Sequence, residues 1–156
     1  MTPAIVLLER EGVSFSAHEY DRGDELRDFG REAAEALGLP EDQVFKTLLI
    51  SVDDERDPVV VVVPVSCTVS MKLAAASVGA KKAVMCDPVA AERITGYVLG
   101  GISPLGQRKV LQTVLDESVE LFDTIYVSGG RRGLDIGVAP HDLARLLDAR
   151  VAPITA

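Results

Sequence analysis

Five consecutive valines, Val59–Val63, followed by Pro64 and Val65, constrain this chain more than any other segment. β-Branched side chains favour strand over helix, and a run with no polar alternation fits a strand covered on both faces. The run is far below the roughly 20 apolar residues needed to cross a bilayer. Pro64 lacks an N–H and belongs near the strand's end. A chain of 156 residues, 47 % hydrophobic and free of low-complexity tracts, suits a soluble globular protein with one core.

The partner of that strand is expected just upstream, where Val44–Val52 also reads as a strand, joined to it by the polar turn 53–58 in an antiparallel hairpin. Side chains alternate along a strand, so Val44, Leu48, Ile50 and Val52 share one face, and Phe45, Thr47, Leu49 and Ser51 the other. Lys46 falls on the uniformly apolar face. A lysine there must reach water past the strand end, pair with an anion, or meet one carried by a ligand. The first two are ordinary structural roles; the third makes Lys46 a candidate site residue.

Capping patterns place the helices. Thr2-Pro3 opens one that runs to Glu11, Asp28 caps one through Leu37, and Ser70 caps one through Ser77. Asp87-Pro88 opens another to about Ile94, and Pro140 starts the last. Residues 21–28 read as a loop, and 13–19, 83–86, 109–115, 124–128 and 134–138 as further strands. Consecutive strands without intervening helices disfavour a doubly wound fold. The expected architecture is α+β, a single domain over residues 1–156, with one mixed, curved, barrel-like sheet surrounded by helices.

A net charge of −8 argues against a nonspecific nucleic-acid binder, DNA included. Residues 1–71 carry 15 acidic and 6 basic side chains, whereas residues 72–132 carry 6 acidic and 8 basic. Such asymmetry permits a localised phosphate contact and equally describes two solvated surfaces. The N-terminus shows no secretory pattern. Cys67 and Cys86 have no disulfide-framework or zinc-ligand spacing and are expected as buried small hydrophobes in a reducing cytosol. No metal or cofactor site is expected.

Two glycine-rich loops could carry chemistry. In Gly100-Gly101-Ile102-Ser103-Pro104-Leu105-Gly106 the missing Cβ atoms let a substrate approach the backbone, whose N–H groups can hold a phosphate or oxyanion. A tight structural turn explains the same residues. The spacing is neither G-x-G-x-x-G nor a Walker loop. In the second loop Ser128 precedes Gly129-Gly130, and Asp135 alternates with Leu134 and Ile136, pointing away from that strand's apolar side. Each is either a ligand or a local structural residue. Ser128 lacks the G-x-S-x-G elbow of a hydrolase, and His18 and His141 have no spacing that supports a triad.

These residues carry a resemblance. Val44-Phe45-Lys46-Thr47-Leu48-Leu49, Gly79-Ala80-Lys81-Lys82, Thr95-Gly96-Tyr97 through Gly106-Gln107, Thr124-Ile125-Tyr126-Val127-Ser128-Gly129-Gly130 and Arg132-Gly133-Leu134-Asp135-Ile136 occur in one order along the chain. In this the chain resembles the YbaK/EbsC-type Cys-tRNA(Pro) deacylases, relatives of the editing domain inserted in bacterial prolyl-tRNA synthetases. The resemblance implies cytoplasmic trans-editing, in which a mischarged amino acid, chiefly cysteine, is cleaved from the acceptor end of tRNA(Pro). The implied partners are that tRNA and prolyl-tRNA synthetase acting in trans, with no membrane. It makes Lys46 the essential residue and sets Tyr20, Thr47, Gly101, Ser128 and Asp135 around the same pocket, beside Gly100, Ile102 and Ser103 of the glycine-rich loop. The acidic segment 53–57 and the polar run 24–28 look individual to this chain.

The implied chemistry needs no protein nucleophile, because cysteine brings its own thiol to an already activated ester. Lys46 and the amides near Gly101 are then the groups expected to act on the reacting carbonyl. Two rivals remain: an Ala-tRNA(Pro)-type deacylase that uses water, and a noncatalytic module binding tRNA or the synthetase.

Overall fold

Residues 1–21 and 29–156 are described by a computed structural model of the chain. Helix α1 (Pro3–Arg10) begins where Thr2 Oγ1 accepts the Ile5 N–H, and the strand β1 (Phe15–Glu19) follows. Helix α2 (Phe29–Leu37) leads through a single 3-10 turn (Glu41–Gln43) into β2 (Phe45–Val52) and β3 (Val59–Pro64). Helix α3 (Met71–Ser77) is capped by Ser70 and α4 (Pro88–Thr95) by Asp87, with β4 (Ala83–Met85) between them. After the glycine-rich loop come β5 (Thr113–Asp116), β6 (Ile125–Arg131) and β7 (Leu134–Val138). Helix α5 (Pro140–Leu147) and β8 (Arg150–Ala152) complete the order.

The valine strand is central, as its composition requires. All six residues of β3 are buried, and it lies between antiparallel β2 and parallel β5 in a five-stranded sheet of order β4-β2-β3-β5-β8. One face of that sheet, with Phe45, Leu49, Val60 and Val62, packs against Ile125, Val127, Ile136 and Val138 of a second sheet and against Ala4, Leu8 and Leu143 of the helices. The other face, with Ile50, Val52, Val59, Val61 and Val63, is covered by Ala74 and Ala75 of α3 and by Ile154.

One expectation is corrected here. The protein does not form a single barrel-like sheet: among the described residues, strands β1, β7 and β6 make a separate antiparallel sheet of three. Among the described residues, strand pairing between the two sheets is limited to one isolated parallel bridge, Val44↔Tyr126, and closure stops there because β2 continues with β3 and β4 while β6 continues with β7. The α+β class stands. Strand β8 was not expected, since three residues offer no alternation to read. The expected strand at 109–115 shrinks to Thr113–Asp116, with Val110 fully in solvent. Of the expected loop at 21–28 only Asp21 is described, and the Asp28 cap lies outside the described residues.

Candidate active site

The parting of the two sheets makes a cavity. From the Val44↔Tyr126 bridge, β2 and β6 separate, and the wedge between them holds a space of about 340 Å³. One wall is Val44 and the start of β2, residues 45 to 48. The floor is the polar face of the small sheet, where Ser128 of β6 and Asp135 of β7 stand opposite each other in register. Tyr20 flanks it, α2 supplies Phe29, Gly30 and Ala33, and the glycine-rich loop supplies Leu99, Gly100 and Ile102.

Strand geometry determines which backbone groups of β2 face this space. Val44 O accepts from Val65 N at 2.8 Å, and Leu49 O accepts from Cys86 N at 3.0 Å. Even-numbered residues therefore direct their peptide groups toward β3 and odd-numbered ones toward the opposite edge. Strand β4 covers that opposite edge only beside Ile50, Ser51 and Val52. Around Thr47 the edge is open to the cavity. The Thr47 hydroxyl is itself buried and has no hydrogen-bond partner among the described residues. An unpaired buried hydroxyl costs about 1–3 kcal/mol, a cost that a polar ligand group in the cavity removes.

Lys46 is partly buried and lines the same space, and among the described residues it has no ion pair. Asp135 is only 5 % exposed. Burial, which penalises the charged form, raises its pKa from 3.8 to about 7. The expectation that Asp135 points away from its strand's apolar side agrees with this placement. Alternation alone could not show that the polar side is roofed.

The cavity thus contains Lys46, Thr47, Tyr20, Gly100, Ile102, Ser128 and Asp135 of the candidate residues, and two lie outside its lining. Gly101 does not offer a free amide: its N–H donates to Val98 O at 2.9 Å. Its missing Cβ serves packing, since a Cβ there would stand 2.8 Å from Arg131 Cα and 2.9 Å from Arg132 N. Ser103 is fully buried; its Oγ accepts the Leu105 N–H at 3.2 Å and its carbonyl accepts from Gln107 Nε2 at 3.0 Å. Both residues shape the loop from behind. The second double glycine is likewise a packing device, with Gly129 against Leu134 and Gly130 against Thr2 and Tyr97.

Phe29, Gly30, Ala33 and Leu99 were missed as lining residues. Their signal is weak in sequence, because they face the cavity from a helix and a loop whose orientation only the tertiary fold sets.

Among the described residues no side chain here resembles an activated nucleophile. Ser128 Oγ accepts the Gly130 N–H at 3.2 Å, His18 bonds Ser16 Oγ at 2.8 Å, and the His141 side chain is 84 % exposed on α5. The expectation that both cysteines are buried is corrected. Cys67 and Cys86 are partly exposed, next to the polar Ser66 and Asp87, and neither lines the cavity. Among the described residues no group of three or more His, Cys, Asp or Glu side chains is placed to hold a metal ion. No helix among them is long and apolar enough to cross a membrane.

Known proteins are similar to this chain in sequence and in fold. A protein of Enterococcus faecalis with the provisional name Cys-tRNA(Pro)/Cys-tRNA(Cys) deacylase EbsC is 33 % identical over 154 residues, which cover 99 % of this chain and 93 % of that one. A crystal structure described provisionally as a trans-editing enzyme for prolyl tRNA synthetase superposes with a TM-score of 0.86 at 23 % identity, over 99 % of this chain and 95 % of the other. The crystal structure of hypothetical protein APE2540 gives 0.87 at 21 % identity, over 99 % of both chains. At these identities the two structures speak for the fold. Residues 25–146 match the family described as the aminoacyl-tRNA editing domain, and the chain belongs to that family.

Proposed function

We propose that this protein hydrolyses mischarged Cys-tRNA(Pro) in trans, with the aminoacyl ester held in the cavity between β2 and β6. The observation that carries the reading is a small cavity lined by Lys46, by a buried hydroxyl and by a buried carboxyl, where among the described residues the lysine has no ion pair, the hydroxyl has no partner and no side chain is set up as a nucleophile. Such a site positions and polarises a substrate that brings its own reactive group.

In the proposed course the cysteine sulfur attacks its own ester carbonyl. The C–S bond forms, the ester C–O bond breaks, and the thiol proton ends on the ribose oxygen of the tRNA. The cyclic thiolactone then takes up water and opens to free cysteine. Holding the thiol against the carbonyl contributes about 7–11 kcal/mol when the bound geometry is near that of attack. Lys46 stabilises the developing oxyanion, aided by the amide of Gly100 or Ile102; one such donor is typically worth about 3–4 kcal/mol. The buried Asp135 and the Thr47 hydroxyl orient the polar groups of the amino acid. Prolyl-tRNA synthetase, acting in trans in the cytoplasm, supplies the tRNA selectivity that an acidic chain of this size does not provide alone.

One observation favours a second reading. A carboxyl with a pKa of about 7 can accept a proton from water near neutral pH, so Asp135 could serve an Ala-tRNA(Pro)-type deacylase that uses water. A panel of tRNA(Pro) charged with cysteine, serine or alanine separates the two. The thiol route requires Cys-tRNA(Pro) to be cleared far faster than the serine and alanine forms, with Lys46→Ala inactive yet folded. Comparable turnover of all three points to activated water. Binding without turnover of any of them overturns both and leaves a noncatalytic module.

A further inference from the structure

We propose that Arg132 is a positioning residue that locks the Leu99–Gly100 wall of the cavity to Phe29 of α2, and so holds the geometry in which the ester is cleaved. This deepens the deacylase reading and rests on it for its kinetic test.

Arg132 lies in the turn between β6 and β7 and does not itself line the cavity; the groups it touches do. Its Nε donates to Leu99 O at 2.7 Å, a short bond from a charged donor. Its guanidinium carbon stands 4.8 Å from the centroid of the Phe29 ring, within cation–π range. The same ring presses on Gly100, where a Cβ would come within 2.7 Å of it. Guanidinium, ring and loop therefore form one close-packed stack, and two of its members are cavity wall.

The loop is gripped from its other side as well. The Glu92 carboxylate accepts the Leu99 N–H at 2.8 Å, so both peptide groups of Leu99 are held by charged side chains from different elements. Gly101 lies directly on the Arg131–Arg132 backbone. The neighbouring Arg131 has a different role, since it pairs with Glu19 at 2.8 Å. Arg132 has no carboxylate partner among the described residues, and its interactions are with a carbonyl and a ring.

Arginine suits the task because its planar head can stack on a ring by its face and donate from its edge at once. An ammonium group can do one or the other from this position. Arg132→Lys therefore keeps the charge and loses the lock.

The test combines kinetics with hydrogen exchange on the full-length protein. In single-turnover deacylation of Cys-tRNA(Pro), Arg132→Ala and Phe29→Leu should each lower the rate constant by about 10- to 100-fold, the size expected when a wall supporting the reacting group shifts. The KM for charged tRNA should stay within about threefold. The double variant should be no slower than the slower single one, and Arg132→Lys should recover less than half of the loss on a logarithmic scale. A raised KM at unchanged rate constant, sensitive to salt, would make Arg132 a phosphate contact and overturn the lock. Additive losses would overturn it too.

The second measurement needs no substrate. Amide exchange across residues 98–102, including the Gly101 N–H bonded to Val98, should quicken in Arg132→Lys while α1 and β3 stay protected. Unchanged exchange there refutes the lock. A wild-type protein inert toward every charged tRNA refutes the deacylase reading instead, and exchange then decides the lock alone.

Discussion

Replacing Asp135 by asparagine should remove a pH-dependent cost of folding. The folded protein holds the Asp135 proton up to about pH 7, whereas the unfolded chain releases it near the ordinary value of 3.8. Between those two pH values the folded state binds more protons, so this group makes unfolding easier as pH rises through the window. Below 3.8 the carboxyl is neutral in both states and costs nothing; above about 7 the cost is at its full value. The displacement corresponds to about 4 kcal/mol. Relaxation and water entry around a buried charge soften it, so recovery of about 2–4 kcal/mol by the asparagine variant at pH 8 is expected, and little difference at pH 4. With a denaturant slope of about 2 kcal/mol/M, that is a rise of about 1–2 M in the urea midpoint. Urea unfolding of both proteins at pH 4, 6 and 8 measures it, and the difference between them cancels the other titrating groups. Parallel stability profiles would refute the reasoning. So would a less stable asparagine variant at pH 8, since it would mean that Asp135 is ionised and paired when the cavity is empty. By the same linkage a cationic amine that pairs with the ionised Asp135 releases its proton, and should bind more tightly as pH rises through about 7.

Other substitutions test neighbouring parts of the site. Thr47→Val removes a hydroxyl that has no partner, so urea unfolding should show unchanged or slightly increased stability while deacylation falls at least tenfold; a loss of 2 kcal/mol or more would mean the hydroxyl is already bonded. Gly100→Ala places a methyl against the Phe29 ring at a backbone φ of +84°. Strain of about 1–3 kcal/mol is expected, read as a lower melting temperature together with impaired turnover. Cys67→Ser and Cys86→Ser should leave activity within about twofold, because neither thiol reaches the cavity; an inactive enzyme from either would refute cleavage by the substrate's own sulfur.

Much of this molecule is legible in local pattern, and the exceptions have physical reasons. The valine strand, the hairpin and the capped helices follow from side-chain branching and from caps at Thr2, Ser70 and Asp87 that the structure forms as bonds. Lys46 could be singled out because a cation on an apolar strand face requires an explanation. The loop amides could not be assigned, because whether Gly101 N–H points into a cavity or back to Val98 depends on a single peptide orientation. Burial of Asp135 was also hidden: its strand shows only that one face is apolar, and what covers the other is another part of the chain. The division into two sheets escaped for the same reason, since strand order is a property of distant pairings.

The place of the cavity has a consequence for how its selectivity can be tuned. It is a gap where two sheets diverge from the Val44–Tyr126 tie, and one flank is the inner side of a short helix that presents Gly30 and Ala33. If the proposed reading holds, added carbon atoms at those two helix positions should reduce the room for an amino-acid side chain without altering any strand register. A scaffold built this way would let its guest be changed from a helix while the strands that carry Lys46 and Asp135 keep their pairing.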